Sequence, residues 1–122
     1  MKLHRSVLLL IAVSVVGCET AADRYRWNVT HAELSPQVRR LPRSDIDQIM
    51  HVMAEASQQP VICLHVSAQN PHQIYAITGV PYGDRPDQFG SCVLEKQNGQ
   101  WRVVHRYLAL DPILATGPGC EP

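Results

Sequence analysis

The residues of this chain with the most distinctive chemistry are its four cysteines, Cys18, Cys63, Cys92 and Cys120. A thiol can carry a lipid, form a disulfide or act as a nucleophile, depending on its compartment and its surroundings. Cys18 ends an apolar stretch near the N-terminus, Cys63 and Cys92 lie in strand-like segments, and Cys120 lies in a Gly/Pro-rich tail. We therefore expect the four cysteines to have different roles.

The N-terminal segment has the pattern of an export signal. Lys2 and Arg5 supply positive charge, and residues 7–16 are a run of apolar and small residues. Such a run is too short to cross about 30 Å of hydrocarbon as a helix. Residues 15–18, VVGC, resemble the lipobox of bacterial lipoproteins. The resemblance implies that residues 1–17 are removed as a signal peptide and that Cys18 is the lipid attachment site, with palmitate-type acyl chains.

A lipidated Cys18 implies a protein anchored to a membrane of the cell envelope and facing the periplasm. The residue after the cysteine is Glu19 and not aspartate, which favours the outer over the inner membrane in a Gram-negative cell. The alternative is an ordinary signal cut at the small residues 20–22, which would release a protein that lacks Cys18. We expect the lipoprotein, because charge, apolar run and cysteine follow in the required order.

Removal of residues 1–17 leaves a chain long enough for one domain. It also removes two of the 11 basic residues, so nine Lys and Arg face 11 Asp and Glu. With no basic stretch among aromatics, we expect no nucleic-acid partner. We assign residues 18–42 to the lipidated cysteine and a tether, 43–110 to an α+β domain and 111–122 to a tail. Within the tether, the alternation over residues 24–29 predicts a short strand, and we expect this piece to pack on the domain because it carries two aromatic residues.

The predicted domain has one amphipathic helix and a four-stranded antiparallel meander. The helix covers residues 44–57 and begins with a capping box of Ser44 and Asp47. Its apolar face has residues at spacings of three and four, namely Ile46, Ile49, Met50, Met53 and Ala54. The strands cover residues 61–67, 73–79, 90–97 and 101–108. The helix is the natural cover for one face of this sheet.

The turns predict the strand register. Asn98-Gly99 favours a type I′ turn that sets Glu95 opposite Arg102, Leu94 opposite Val103 and Cys92 opposite His105. A four-residue turn over 69–72 would set Leu64 opposite Ile77 and Val66 opposite Tyr75. The predicted apolar face is then Ile62, Leu64, Val66, Tyr75, Ile77, Leu94, Trp101 and Val103.

In this register Cys63 and Cys92 lie on opposite faces of the sheet, which disfavours a disulfide between them. An exported compartment is oxidising, so we still expect one disulfide and one remaining thiol among the three cysteines that follow Cys18. We predict that Cys120 pairs with Cys92 or with Cys63.

Catalytic motifs do not occur in this sequence. It contains no Gly-x-Ser-x-Gly, Cys-x-x-Cys or His-Glu-x-x-His, and no phosphate-binding glycine loop. Cys63, His65 and His105 are the residues that a metal site or a Cys/His nucleophile would use. The predicted register places His65 and His105 on opposite faces, so we expect no catalytic residue, no metal ligand and no cofactor.

The segment of residues 81–88 is longer than a tight hairpin requires. It holds Tyr82, Asp84, Arg85 and Asp87 between two predicted strands. Loops of this kind often carry recognition, so these four residues are our candidate recognition loop.

The end of the predicted domain, NGQWRVVHRYLAL, is similar to the closing hairpin of small exported domains in the cystatin-like and NTF2-like group. The likeness implies a helix packed on an antiparallel sheet, and this architecture hosts enzymes, binding modules and inhibitors. We expect a non-catalytic binding, adaptor or inhibitor module with a protein partner in the envelope, of which an immunity protein would be one instance. The alternative is a small hydrolase or isomerase that uses the sheet face.

Overall fold

The computed structural model describes residues 20–80 and 83–107. These residues form an α+β fold with a five-stranded mixed sheet and helices packed on it. The elements are α1 (Ala21–His31), β1 (Glu33–Leu34), α2 (Pro36–Arg39), α3 (Arg43–Ala56), β2 (Val61–Val66), β3 (Gln73–Gly79), a 3-10 turn (Pro86–Gln88), β4 (Phe89–Gln97) and β5 (Gln100–Tyr107). Cys18, Tyr82 and Cys120 lie outside the described residues, as do the predicted tail and signal peptide.

The short strand predicted over residues 24–29 is wrong, because these residues belong to helix α1. Its start is a capping box, in which the Thr20 hydroxyl accepts from the Asp23 amide at 3.1 Å and the Asp23 carboxylate accepts from the Thr20 amide. Arg24 and Asn28, four residues apart, form its buried side. The cap and this spacing outweigh the alternation of period two. The folded part of the chain therefore includes residues predicted to be a tether.

The predicted helix over 44–57 is confirmed within one residue as α3. Ile49, Met50, Met53 and Ala54 are its buried residues, as the spacing indicated. The predicted capping box is wrong, because the helix begins after Pro42 without a side-chain cap. Asp47 instead accepts a hydrogen bond from the hydroxyl of Tyr25 in α1.

The sheet has the order β1-β2-β3-β4-β5. Strands β2 to β5 pair with their sequence neighbours in antiparallel fashion, whereas β1 pairs with β2 in parallel. The added edge strand makes the sheet mixed and five-stranded, where a four-stranded antiparallel meander was predicted. The two-residue β1 was missed because it is too short to show a period.

The final hairpin confirms most of the predicted register. Asn98 and Gly99 have φ of 53° and 79°, as a type I′ turn requires. Glu95 lies opposite Arg102, and Leu94 lies opposite Val103. The predicted pair of Cys92 and His105 is wrong, because Val104 forms a bulge and Cys92 lies opposite Arg106.

The first hairpin is shifted by one residue from its predicted register. Leu64 lies opposite Ala76 and Val66 opposite Ile74, not Ile77 and Tyr75. The cause is the turn, in which the Ser67 hydroxyl accepts from two backbone amides at 3.2 Å, those of Gln69 and Asn70. These bonds lengthen the connection by one residue, which moves each partner to the other face.

The sheet therefore has two distinct faces. The first face, which the helices cover, contributes Val61, Leu64, Ile74, Ala76, Cys92, Leu94 and Trp101 to the core, with Val66 and Val103 packed against it. The second face carries Cys63, His65, Tyr75, Ile77, Ser91, Val93, His105 and Tyr107. Tyr75 and Ile77 were wrongly predicted for the first face. Ile62 was also placed there, but it occupies an irregular position between Val61 and Cys63 in the pairing of β2 with β3.

Candidate functional site

Four segments meet at one end of the sheet, which we call the loop end. They are the C-terminus of α3, the end of β3, the start of β4 and the end of β5. The amide of Gly79 donates to the carbonyl of Pro60 at 3.1 Å, which joins β3 to the segment after α3. Ser91 lies opposite both Ile77 and Tyr107, so β4 holds β3 and β5 together there.

The loop end contains a cavity of about 540 Å³. It is lined by Glu55, Ala56, Ser57, Gln58, Gln59, Thr78, Gly90, Ser91, Cys92, Arg106 and Tyr107. The lining combines a thiol, a guanidinium, a phenol and several amide and hydroxyl groups. Such a mixture suits hydrogen bonding to a polar ligand or to a partner side chain.

Cys92 in this cavity is a buried free thiol. Burial raises its pKa, and the charge of Arg106 opposes that effect more weakly. The thiol is therefore protonated near neutral pH, whereas a nucleophilic cysteine needs the thiolate. Ser91 is also buried, and its Oγ has no hydrogen-bond partner. Glu55 is the one carboxylate among the described lining residues, and it is exposed. The described lining therefore offers mainly neutral hydrogen-bonding groups together with the Arg106 guanidinium.

The described part of the predicted recognition loop is held by Gln88. Its Oε1 accepts from the amides of Asp84 and Arg85, both at 3.0 Å. Its backbone carbonyl accepts from the amide of Val80 at 3.1 Å and from Nε2 of Gln59 at 3.2 Å. The loop is thereby fixed to β3 and to the segment after α3.

Gln59 connects this loop to the cavity. Besides its bond to Gln88, its Oε1 accepts from the hydroxyl of Thr78 at 3.4 Å. Both Gln59 and Thr78 line the cavity, so loop and cavity form one continuous site. Sequence reasoning missed Gln59 and Gln88, because nothing in their local pattern shows which backbone groups they reach.

The exposed residues beside this site combine apolar and charged groups. Val80 and Tyr107 are large hydrophobic residues with 44% and 45% of their surface exposed. Asp84, Arg85 and Asp87 are exposed in the loop, and Arg85 Nε lies 3.5 Å from the Asp87 carboxylate. We name Val80, Asp84, Arg85, Asp87, Arg106 and Tyr107 the loop-end surface. The predicted recognition residue Tyr82 lies outside the described residues.

Cys63, His65 and His105, which were considered for a metal site or a Cys/His nucleophile, are spread over the second face of the sheet. Cys63 is disulfide-bonded, so its sulfur is neither a nucleophile nor a metal ligand. Cys92, in contrast, is free. The prediction that Cys63 and Cys92 do not pair is thus confirmed, and the alternative of a disulfide at Cys92 is wrong.

His65 and His105 lie on the same face, contrary to prediction, in a row that runs His65, Tyr75, Val93 and His105 across four strands. Tyr75 and Val93 separate them, so they do not converge. Burial lowers the pKa of His65, and its Nδ1 has no hydrogen-bond partner. Within residues 20–80 and 83–107, no group of three or more potential ligands is placed to hold a metal ion.

Comparison of the chain with protein-family models, curated proteins and solved structures finds no match. Among the described residues, no helix has both the length and the apolar character needed to span a membrane. The site is therefore interpreted from its own geometry.

Proposed function

We propose that this protein is a lipid-anchored lipoprotein of the bacterial cell envelope that acts as a non-catalytic binding, adaptor or inhibitor module. In this proposal the loop-end surface binds a protein partner. The observation that carries it is the exposure of Val80 and Tyr107 beside an ordered, charged loop.

The composition of this surface favours a protein over a nucleic acid. Tyrosine and arginine are the residue types that most often dominate binding energy at protein interfaces. Asp84 and Asp87 alternate with Arg85, so the loop is not a basic patch. Because Gln88 already orders the loop, binding would cost less conformational entropy than it would with a mobile loop.

The start of α1 lies at the same end of the molecule as the loop-end surface, which supports a link between anchoring and binding in this proposal. Arg24 Nε donates to the carbonyl of Ala54 at 2.9 Å, and Asn28 Nδ2 donates to that of Met50 at 3.4 Å. Helix α1 therefore runs antiparallel to α3 and begins beside the C-terminus of α3. Cys18 precedes the cap residue Thr20 by two residues. A partner of the loop-end surface would then lie at the membrane surface.

The binding proposal is tested by cross-linking in envelope membranes with matched variants. Arg85→Glu combined with Tyr107→Ala should abolish a cross-link to a defined partner that the wild type forms. The control combines Arg39→Glu with Val29→Ala, which makes the same kinds of change at exposed residues away from the loop end. An unchanged cross-link in the loop-end variant would reject this surface as the binding site.

The anchoring proposal is tested separately by Cys18→Ser. We expect this variant to leave the detergent phase in phase partitioning and to keep the far-UV circular dichroism of the wild type. Two or three acyl chains hold a protein to a bilayer through about 0.8 kcal/mol per buried methylene, so their loss should release it. Continued partitioning of the variant with detergent would contradict the lipoprotein assignment.

A further inference from the structure

Another cavity lies at the end of the sheet opposite the loop end, where β2 turns into β3. It has a volume of about 680 Å³, which suits a small molecule. None of its lining residues belongs to the loop-end cavity, and all of them lie in the described part of the chain. They are Ser35, Pro36, Gln37, Arg40, His65, Val66, Ser67, Ala68 and Pro71.

His65 contributes to this lining a buried imidazole with an unpaired polar atom. The residue is only 9% exposed, and its Nδ1 has no hydrogen-bond partner. The ring of Tyr75, on the opposite strand, lies against it at a centroid distance of 5.3 Å. Buried polar groups in folded proteins nearly always have a partner, which may be a bound molecule. A ligand in the cavity would supply the partner that His65 lacks.

Arg40 gives the cavity its charge. Its side chain is exposed, and among the described residues it forms no ion pair. No residue of the lining is acidic. Burial lowers the pKa of His65, so its ring is neutral near pH 7 and carries one N–H donor. The charge of the lining is therefore positive and comes from one guanidinium.

Two serine hydroxyls add further donors. Ser35 Oγ accepts a hydrogen bond from the amide of Val38 at 3.3 Å. Ser67 Oγ accepts from the amides of Gln69 and Asn70, both at 3.2 Å. Because each oxygen already accepts from the backbone, its hydrogen is the part that remains for a ligand. The cavity thus combines a positive charge with several neutral donors, which favours an anion.

The backbone that carries these donors is fixed by the fold. The amide of Ser35 donates to the carbonyl of Leu64 at 3.0 Å, which joins the start of α2 to β2. Val38 in α2 is fully buried in the first-face core. Arg40 follows directly after α2, so its backbone is held beside β2. Donors that are already in position bind a ligand at a lower cost in conformational entropy.

We propose that this cavity binds a small organic carboxylate. The carboxylate pairs with the guanidinium of Arg40 and accepts hydrogen bonds from His65 and from the two serine hydroxyls. Its carbon skeleton lies against Pro36, Ala68 and Pro71. A carboxylate matches the planar fork of an arginine, and the apolar part of the lining favours an organic anion over inorganic phosphate. This site does not depend on the loop-end surface or on the lipid anchor.

Titration of the full-length protein with benzoate, followed by NMR of isotope-labelled histidine, tests the binding. The ring signal of His65, identified by its loss in His65→Gln, should shift with benzoate and reach saturation. Benzamide has the shape of benzoate without its charge, and inorganic phosphate has negative charge without an apolar body. Both should bind at least about tenfold more weakly than benzoate. The absence of a saturable shift with benzoate, or equal binding of benzamide or phosphate, would overturn the proposal.

Two neighbouring arginines provide a matched pair of variants. Arg40→Gln should weaken benzoate binding at least about tenfold, because it removes the charged partner. Arg39→Gln removes an exposed charge that does not line the cavity, so it should change the affinity by less than about twofold. Both changes are at exposed positions and should leave the fold intact. Equal losses of affinity in the two variants would mean that benzoate responds to net charge and not to a site at Arg40, which would overturn the proposal.

Discussion

The side chain of Asn28 joins α1 to the sheet by accepting a hydrogen bond from the backbone amide of Val61 at 2.8 Å. Asn28 is fully buried, and its Nδ2 also donates to the carbonyl of Met50 in α3. One side chain thus connects both helices to the first strand of the antiparallel part of the sheet. It satisfies the Val61 amide where the pairing of β2 with β3 shifts register.

Asn28→Ala should lower the free energy of unfolding by about 2 to 3 kcal/mol. The change leaves the Val61 amide buried without a partner, and an unsatisfied buried group costs about 1 to 3 kcal/mol in addition to lost packing. Chemical denaturation measures the effect. Val29→Ala, at the neighbouring exposed position, is the control and should be nearly neutral. Similar losses in both variants would mean that the hydrogen bond to Val61 contributes little.

Gly99→Val should destabilise the final hairpin by about 1 kcal/mol or more. Gly99 has a φ of 79°, which a β-branched residue resists, and no atom lies within 4 Å of the added Cβ. The cost therefore comes from the backbone alone. Gly99→Asn should cost much less, because asparagine tolerates positive φ. Equal denaturation midpoints for the two variants would argue against the type I′ turn.

Gly79→Ala should destabilise the loop end by about 1 to 3 kcal/mol. A Cβ at this position would overlap the ring of Phe89, its partner across β3 and β4, and crowding of this kind strains the backbone. The comparison is a double-mutant cycle with Phe89→Ala, in which Gly79→Ala should cost much less, because only the backbone carbonyl oxygen of Gln88, 3.1 Å from the added Cβ, remains close. If the losses of stability in the two single variants were additive in the double variant, the effect of Gly79→Ala would not come from its contact with the Phe89 ring.

Stability should fall as the pH drops from about 7.5 to 5, in part because of His65. Burial lowers the pKa of His65 in the folded state, so the unfolded chain binds the proton more tightly. The stability linked to this group is fully present above the unfolded pKa of about 6.5 and is lost as the pH falls toward the folded pKa. Asp23 affects the stability only at lower pH, because the hydrogen bond from Arg26 holds the pKa of its carboxyl below the usual 3.8.

Denaturant midpoints across this pH range check the prediction. The decrease should be smaller in His65→Gln than in the wild type, whatever the absolute stability of the variant. His72→Gln, which changes an exposed ring, should keep the slope of the wild type. If the midpoint of His65→Gln fell with pH as steeply as that of the wild type, groups other than His65 would cause the pH dependence.

The elements that the sequence determined by itself are those with a complete local signal. Helix α3 follows from apolar residues at spacings of three and four, and the final turn follows from Asn98-Gly99, which accepts positive φ at both positions. The approximate bounds of the four antiparallel strands follow from segments of alternating apolar and polar residues that turn residues delimit. The opposite faces of Cys63 and Cys92 were also predicted.

Tertiary structure decided which residues share a face. Irregularities at Ile62 and Val104 and the Ser67 turn each shift the alternation by one residue, so Ile77 and His105 moved to the second face. Such shifts depend on packing and on hydrogen bonds across the sheet, which a period of two does not contain. The same holds for α1, where the buried residues Arg24 and Asn28 are polar in sequence and hydrogen-bond to groups in α3 and β2 that are distant along the chain.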